Sequence, residues 1–325
     1  MSTVKNNGKR RAFPATPVTD LGNFEDNHLY IKRDDLIPYS FGGNKARKGL
    51  LFFEDIDAGD YDTVVTYGST RSNHCRVVAN LAAERGLCCI LISPKEEDGG
   101  APTFNSIYTA ICGARRIQVP VSEVHDTIEQ TLSDLRSKGK KPYFIPGGGH
   151  GNIGTRAYVN CYEEIREEER ELGISFDYLF FASGTGTTQA GLVAGKLLHG
   201  DEIAIVGISI ARKNPRGRDV VVASVREYLP EEDPAVIDAN VAFDDAYIQG
   251  AYGTASSGEQ ALIRQVMVQY GIPLDTTYTG KAFYGMQQYV RDHAVTGKNV
   301  LFLHTGGAPL FFDDLLAAGG RGDET

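Results

Sequence analysis

Tyr178-Leu179-Phe180-Phe181-Ala182-Ser183-Gly184-Thr185-Gly186-Thr187-Thr188 is an apolar run that breaks into small and hydroxyl-bearing residues, followed by Ala190, Leu192, Val193 and Leu197 at helical spacing. That order reads as strand, glycine turn and helix. Short apolar runs recur on both sides of it, at Thr63 to Tyr67, Leu87 to Ile92, Arg116 to Val119, Tyr143 to Ile145, Ile203 to Ile210 and Asn299 to His304. Most alternate with helical patterns such as Val77, Val78, Leu81 and Ala82 before Gly86. Repetition of this unit predicts an α/β protein with mostly parallel sheet. Ligands in such sheets bind outside the carboxyl ends of the strands, so the turns after these runs are where function is sought.

The chain has 325 residues, 42% of them hydrophobic, enough to bury a large core and to form two lobes rather than one. The glycine-rich segment Gly147 to Gly154 is the best candidate crossing point between them. A formal charge of −9 argues against nucleic acid or an anionic membrane as partner, and Lys9, Arg10, Arg11 and the Arg212 to Arg218 run read as solvated segments. The polar N-terminus and the lack of an apolar run of about 20 residues predict a cytoplasmic protein. Five cysteines, odd in number and without ligand spacing, read as free thiols, with Cys88 and Cys89 in a buried strand. Seven histidines include no i, i+4 pair, and no catalytic metal is expected.

Four turns carry chemistry. In Phe41-Gly42-Gly43-Asn44-Lys45 the glycines release the chain into a helix near Ala46, and the positive end of its dipole disfavours charge on Lys45. A neutral amine is what a Schiff base requires, although an isolated motif of this kind is equally a surface lysine beside a turn. Tyr67 to His74 opens a second helix, with Ser72 as N-cap and free N–H groups suited to a carboxylate. Ser183 to Thr188 is a phosphate cup: it lacks the lysine of a P-loop, and Gln189 occupies the third glycine position of a dinucleotide fingerprint. The following strand ends in Ser209-Ile210-Ala211-Arg212 with no acidic residue to grip a ribose, which makes a nicotinamide dehydrogenase the weaker reading. The last pair of segments, Tyr278-Thr279-Gly280-Lys281 and His304-Thr305-Gly306-Gly307, adds close-approach glycines and neutral hydroxyls.

In this order, together with Thr16-Pro17, Lys32-Arg33-Asp34-Asp35-Leu36, Ser72 to Arg76, Pro146-Gly147-Gly148 and Leu274-Asp275, these motifs resemble the D-cysteine desulfhydrase and 1-aminocyclopropane-1-carboxylate deaminase family. The resemblance implies a tryptophan-synthase-β-like fold, fold type II among pyridoxal-phosphate enzymes, with two lobes of mostly parallel sheet flanked by helices. It divides the chain into a large cofactor-binding domain, 1–49 plus 158–325, and a small domain, 50–157, that closes over a small amino-acid substrate. It implies that Lys45 carries pyridoxal 5'-phosphate, that Asn73 bonds the ring hydroxyl, and that Ser183, Gly184, Thr185, Gly186, Thr187 and Thr188 hold the phosphate. Ser72, with Asn73 and His74, would meet the substrate, while Tyr252 and Tyr278 match the family's two active-site tyrosines. A homodimer is also implied.

Cyclopropane deaminases of this family carry a glutamate and a leucine where this chain has Thr279 and Thr305, so the resemblance points to the desulfhydrase pattern. Neutral hydroxyls at the ring favour β-elimination from D-cysteine, cysteate or a similar amino acid, with Lys45 as base and a tyrosine as acid. Cysteine-synthase-like β-replacement and ring-opening deamination remain open, and a non-catalytic binder would have lost some of these residues. Arg71 stands where the family has glutamine. Its guanidinium would either recognise an acidic β-group, such as a sulfonate or second carboxylate, or point to solvent or pair across the lobes.

Overall fold

A computed structural model describes residues 13–95, 102–248 and 255–319. Its larger sheet contains β1 (Val18–Phe24), β2 (Asn27–Lys32), β7 (Tyr178–Ser183), β8 (Ala204–Ser209), β9 (Ala242–Asp244) and β10 (Asn299–Leu303), in the order β1-β2-β10-β7-β8-β9. The smaller contains β3 (Thr63–Tyr67), β4 (Cys88–Pro94), β5 (Arg115–Val119) and β6 (Pro142–Ile145), in the order β5-β4-β3-β6. Every pairing is parallel except β1 with β2.

Eleven α-helices lie among the described residues. Those from the first half of the chain are α1 (Asn44–Ala58), α2 (Asn73–Glu84), α3 (Phe104–Ile111), α4 (Val124–Ser137) and α5 (Asn152–Leu172). Then follow α6 (Thr187–His199), α7 (Arg216–Tyr228), α8 (Pro234–Asn240), α9 (Ser257–Tyr270), α10 (Thr279–Asp292) and α11 (Ala308–Gly319). None is long and apolar enough to cross a membrane.

Both faces of the larger sheet are covered, which is why its strands read as continuous apolar runs rather than alternating ones. Leu179, Phe181, Leu301 and Leu303 pack with Tyr158, Leu192 and Val221 of α5, α6 and α7. Their neighbours Phe180, Val300 and Phe302 point the other way, toward Ile263, Phe283 and Met286 of α9 and α10. The smaller sheet is buried similarly: Val64, Leu91 and Ile145 pack under α1 and α2, whereas Val65, Ile90 and Ile92 meet Ile128 and Leu132 of α4.

All seven strands expected from sequence are present, and the parallel registers align their carboxyl ends. Ser183 lies opposite Ser209, Thr66 opposite Ile145 and Leu303 opposite Lys32. Two details differ from expectation. The boundaries at 49/50 and 157/158 fall inside α1 and α5, helices that join the sheets rather than end at them. The cysteines are free as expected, but Cys88 begins β4 in an exposed position and only Cys89 of that pair is buried.

The joint between the sheets is a buried ionic cluster. Arg47 of α1 donates through Nε and Nη2 to the Asp34 carboxylate at 2.9 and 2.7 Å, and through Nη1 and Nη2 to Glu164 of α5 at 2.8 and 3.0 Å. Tyr158 and Thr16 donate to Asp34, and Lys32 pairs with Glu164 at 3.3 Å. Burial alone would raise the Asp34 pKa, but the charge and hydrogen bonds of Arg47 outweigh it and the net shift is downward. A depressed carboxylate pKa stabilises the fold above the unfolded value of about 3.9, and that contribution is lost as pH falls through the lower folded value. Arg47→Met should strand two buried carboxylates and cost about 3–5 kcal/mol in urea denaturation. A loss below about 1 kcal/mol would mean that the cluster contributes little beyond its packing.

Candidate active site

A cavity of about 290 Å³ opens at the carboxyl ends of both sheets. Its walls include Lys45, Ser72, Asn73 and His74, together with Tyr278 and Thr305. Ser183, Gly184, Thr185, Gly186 and Thr188 form another wall, so the four turns converge on one space.

Lys45 lies in the first turn of α1, which begins at Asn44, two residues earlier than the apolar pattern suggested. The paired glycines before it permit a contact no side chain would allow. A Cβ on Gly43 would stand 2.6 Å from the Thr305 carbonyl oxygen, and one on Gly306 would stand 2.6 Å from the Gly43 Cα. Two backbone turns thus lie against each other, and the Asn44 N–H donates to the Thr305 carbonyl at 3.0 Å. The Lys45 amine donates to the Gly148 carbonyl at 3.1 Å, and burial lowers its pKa to about 8. Desolvation is the cause, where the sequence suggested the helix dipole.

Gly148, with φ of +73°, carries the turn after β6 into the same corner. A Cβ there would lie 3.3 Å from Lys45 Nζ and 3.1 Å from Thr185 Oγ1. The amine and the phosphate cup therefore flank a single glycine. Gly186 is the N-cap of α6 and provides no side-chain cap, which leaves the first N–H groups of that helix without intrahelical partners. Asn44 Nδ2 donates to Thr188 Oγ1 at 3.2 Å and links the first turns of α1 and α6.

The α2 wall is set by hydrogen bonds. Ser72 is the N-cap, as expected: its Oγ accepts from the Cys75 N–H at 3.2 Å, which keeps its own proton available to a ligand. Asn73 Oδ1 accepts from Arg76 Nη1 and from Asn105 Nδ2, so its Nδ2 is the end left to donate. Thr66 donates its hydroxyl proton to the Ile145 carbonyl and must accept from His74 Nε2 at 2.8 Å, which fixes the tautomer. Burial, then the charges of Lys45 and Lys48, hold the His74 pKa well below normal, so this imidazole is neutral. His304 is fixed in the same manner, donating from Nε2 to the Pro273 carbonyl and accepting at Nδ1 from the Gly306 N–H. With Nδ1 unprotonated, its 3.7 Å approach to Asp35 is not an ion pair.

Three expected residues lie outside the cavity wall. Thr187 is buried with its hydroxyl on His150 Nδ1 at 2.9 Å. Thr279 donates to Asp275 Oδ2 at 2.8 Å and accepts from the Asp275 N–H, so its hydroxyl is committed to the turn before α10. Arg71 is half-buried and faces Asp314 of α11 at 3.6 Å, the cross-lobe pairing rather than a cavity position. Tyr252 lies outside the described residues. Conversely, Tyr67 and Arg212 line the cavity. The sequence showed Arg212 in a charged run and at the end of the strand that became β8, where it served only to argue against a ribose; its own positive charge at that place was the signal not used.

An uncharged-capable buried lysine beside an uncapped, hydroxyl-lined helix N-terminus fits a carbonyl-bearing phosphate ester. The chain belongs to the family of pyridoxal-phosphate-dependent enzymes, which it matches over residues 10–306. Within that family it is 32% identical to a D-cysteine desulfhydrase of Serratia proteamaculans, over 92% of this chain and 93% of the relative. It is also 32% identical to a 1-aminocyclopropane-1-carboxylate deaminase of Ralstonia nicotianae, over 91% and 93%. The crystal structure of a homologue of that deaminase superposes with a TM-score of 0.80 at 32% identity, covering 93% of each chain. A hydrogen sulfide-producing enzyme of Fusobacterium nucleatum shares the fold at TM-score 0.64 and 20% identity, covering 90% of this chain and 96% of that one. The architecture is fold type II, and the cofactor is pyridoxal 5'-phosphate.

A neutral amine reacts and an ammonium does not, so reactivity should rise as pH passes upward through the Lys45 pKa. Protein stripped of cofactor should take up pyridoxal 5'-phosphate covalently with a midpoint at about pH 8, and Lys45→Ala should not form the yellow adduct. Stopped-flow absorbance across a pH series checks both. A midpoint at the ordinary lysine value of about 10.4 would contradict the desolvated site.

Proposed function

We propose that this chain is a lyase that removes a β-substituent from a small amino acid such as D-cysteine or cysteate, yielding a keto acid, ammonia and the leaving group. The observation that carries the reading is the Lys45 amine, buried, with a pKa of about 8, and flanking the same glycine as the Thr185 hydroxyl. When bound, the cofactor supplies an electron sink for the pair released at the substrate α-carbon. The residues named below do the rest.

The uncapped first turn of α6, with Ser183, Thr185 and Thr188, would hold the phosphate. Asn73, its carbonyl end pinned by Arg76 and Asn105, would donate from Nδ2 to the ring hydroxyl. Ser72 and the N-terminal N–H groups of α2 would receive the substrate carboxylate, where a helix N-terminus favours negative charge. Lys45 Nζ, neutral near pH 8, would take the α-proton. Tyr278 lines the cavity and would return a proton to the departing group. Thr305 brings a hydroxyl and no charge to the turn after β10, so nothing on that wall favours a protonated ring nitrogen. This supports prompt loss of a β-group over chemistry that needs a long-lived carbanion and ranks ring-opening deamination second; β-replacement begins with the same loss and is separated from elimination by its products.

The reading includes a homodimer in the cytoplasm. Supporting it are five free thiols and an apolar surface in which Phe104 of α3 meets Phe312 of α11 edge-on, with Ile107, Ile111, Leu315 and Leu316 exposed around them. Light scattering should give twice the chain mass, and Ile111→Asp with Leu316→Asp should give the monomer.

Release of keto acid and ammonia should be measured from D-cysteine, L-cysteine, cysteate, β-chloroalanine and 1-aminocyclopropane-1-carboxylate. Release from one or more β-substituted amino acids, but not from the cyclopropane, is expected. Lys45→Ala should lower it by about 10²–10⁴-fold, and Tyr278→Phe should lower kcat by about 10²-fold while leaving the cofactor absorbance in place. A yellow protein that is silent on the whole panel yet forms a new product with added thiol would replace elimination by β-replacement.

A further inference from the structure

Arg212 follows β8 by three residues and lines the cavity. Its Nη1 is sealed from solvent and has no hydrogen-bond partner among the described residues. It forms no ion pair with a described carboxylate; among the described residues no aspartate or glutamate lines the cavity, and beside the neutral His74 its basic side chains are Lys45 and Arg212. Burial first, then the like charge of Arg216, pushes its pKa down, with only Tyr67 acting the other way. A half-buried guanidinium whose Nη1 is sealed and without an acceptor is a site awaiting an anion, because guanidinium is fully charged and recognises planar or tetrahedral oxyanions through paired N–H groups.

We propose that Arg212 receives an anionic side group on the substrate, so that the enzyme prefers amino acids whose β-carbon carries or leads to a carboxylate, sulfonate or phosphate. Arg71, the other arginine near these turns, already faces Asp314 and is absent from the cavity wall. The cofactor phosphate is the rival claimant. It has its own donors in the first turn of α6 and in the Ser183, Thr185 and Thr188 hydroxyls. Ile210, two residues before Arg212, lies against that cup, its side chain 3.6 Å from where a Cβ on Gly184 would stand. Arg212 senses Tyr67, which belongs to the smaller sheet and packs its ring over Gly147. The guanidinium is also within charge reach of His150, whose Nδ1 bonds Thr187 of the α6 turn, so the cofactor-affinity arm of the test below separates a substrate anion from the cofactor phosphate.

The inference rests on the proposed amino-acid lyase reading, and its test is made independent of turnover. α-Methylaspartate and 2-aminoisobutyrate share an α-carbon without a hydrogen, so neither can lose an α-proton, and they differ by one carboxylate. Each is titrated into the yellow holoenzyme while the cofactor absorbance is followed. Wild type should bind α-methylaspartate at least 10-fold more tightly than the neutral analogue. Arg212→Gln should abolish that preference, Arg212→Lys should restore part of it, and cofactor affinity should be unchanged in both. Equal binding of the two analogues by wild type, or a preference that survives in Arg212→Gln, overturns the proposal. So does a variant that loses cofactor while keeping its preference, since Arg212 would then serve the phosphate. If the preference depends on Arg212 but no β-substituted amino acid is turned over, the anion subsite stands and the lyase reading fails.

Discussion

Arg47, buried between Asp34 and Glu164, is the constraint on which the placement of every other active-site element depends. Its guanidinium engages the segment after β2, through Asp34, and helix α5, through Glu164, while the helix that carries it, α1, packs its apolar face into the core of the smaller sheet. Two positions apart on a helix are about 200° apart around it, so α1 is anchored by one side at Arg47 and presents Lys45 to the cavity on another. The cluster is charge-balanced, with Arg47 and Lys32 against Asp34 and Glu164. Well-packed apolar residues would often serve stability equally well. What the ionic version adds is direction: bidentate geometry fixes the rotation of α1 about its own axis, which a greasy contact would leave softer.

The sequence was most legible where the physics is local. Apolar runs buried on both faces, glycine turns and an N-cap serine announced seven strands and the α2 start, because each signal depends on the chain's own neighbours. It was least legible where a tertiary partner decides. The β1–β2 hairpin turns at Glu25 and Asp26 with φ of 47° and 58°, without the Asn-Gly or Asp-Gly that would mark it. Nothing near Cys88 indicated that the strand edge would leave it exposed while burying Cys89. The motif Lys32 to Leu36 was conspicuous, yet its charges serve the buried joint rather than the cavity.

The site followed the same division. Glycine and hydroxyl turns located its walls, but the use of each hydroxyl could not be read from the chain alone. Thr279 looks equivalent to Thr305 in sequence, yet a buried Asp275 takes its proton and organises the backbone of that turn. Arg71 and Arg212 exchange roles for a comparable reason. The former finds a carboxylate on α11, a helix more than two hundred residues away, and the latter finds none. Which of two arginines is free is a question about partners, and partners are set by the fold.

The electrostatics of the cavity then follow from a simple count. Lys45 and Lys48 lie one turn apart on the same helix face, the first half-buried in the cavity wall and the second buried, and each has a lowered pKa; desolvation is the cause at Lys45, and desolvation followed by the charge of Lys45 at Lys48. His74 is held neutral by the same surroundings. An anion entering such a space lowers the cost of charging every amine around it. By linkage, anion binding and proton uptake must favour each other, and the extent to which Lys45 is a neutral nucleophile depends on what else occupies the cavity. A lysine that must be neutral to react is therefore best placed where the anion's charge is met by other donors, here the N–H groups at the α6 N-terminus and the Arg212 guanidinium of the cavity wall.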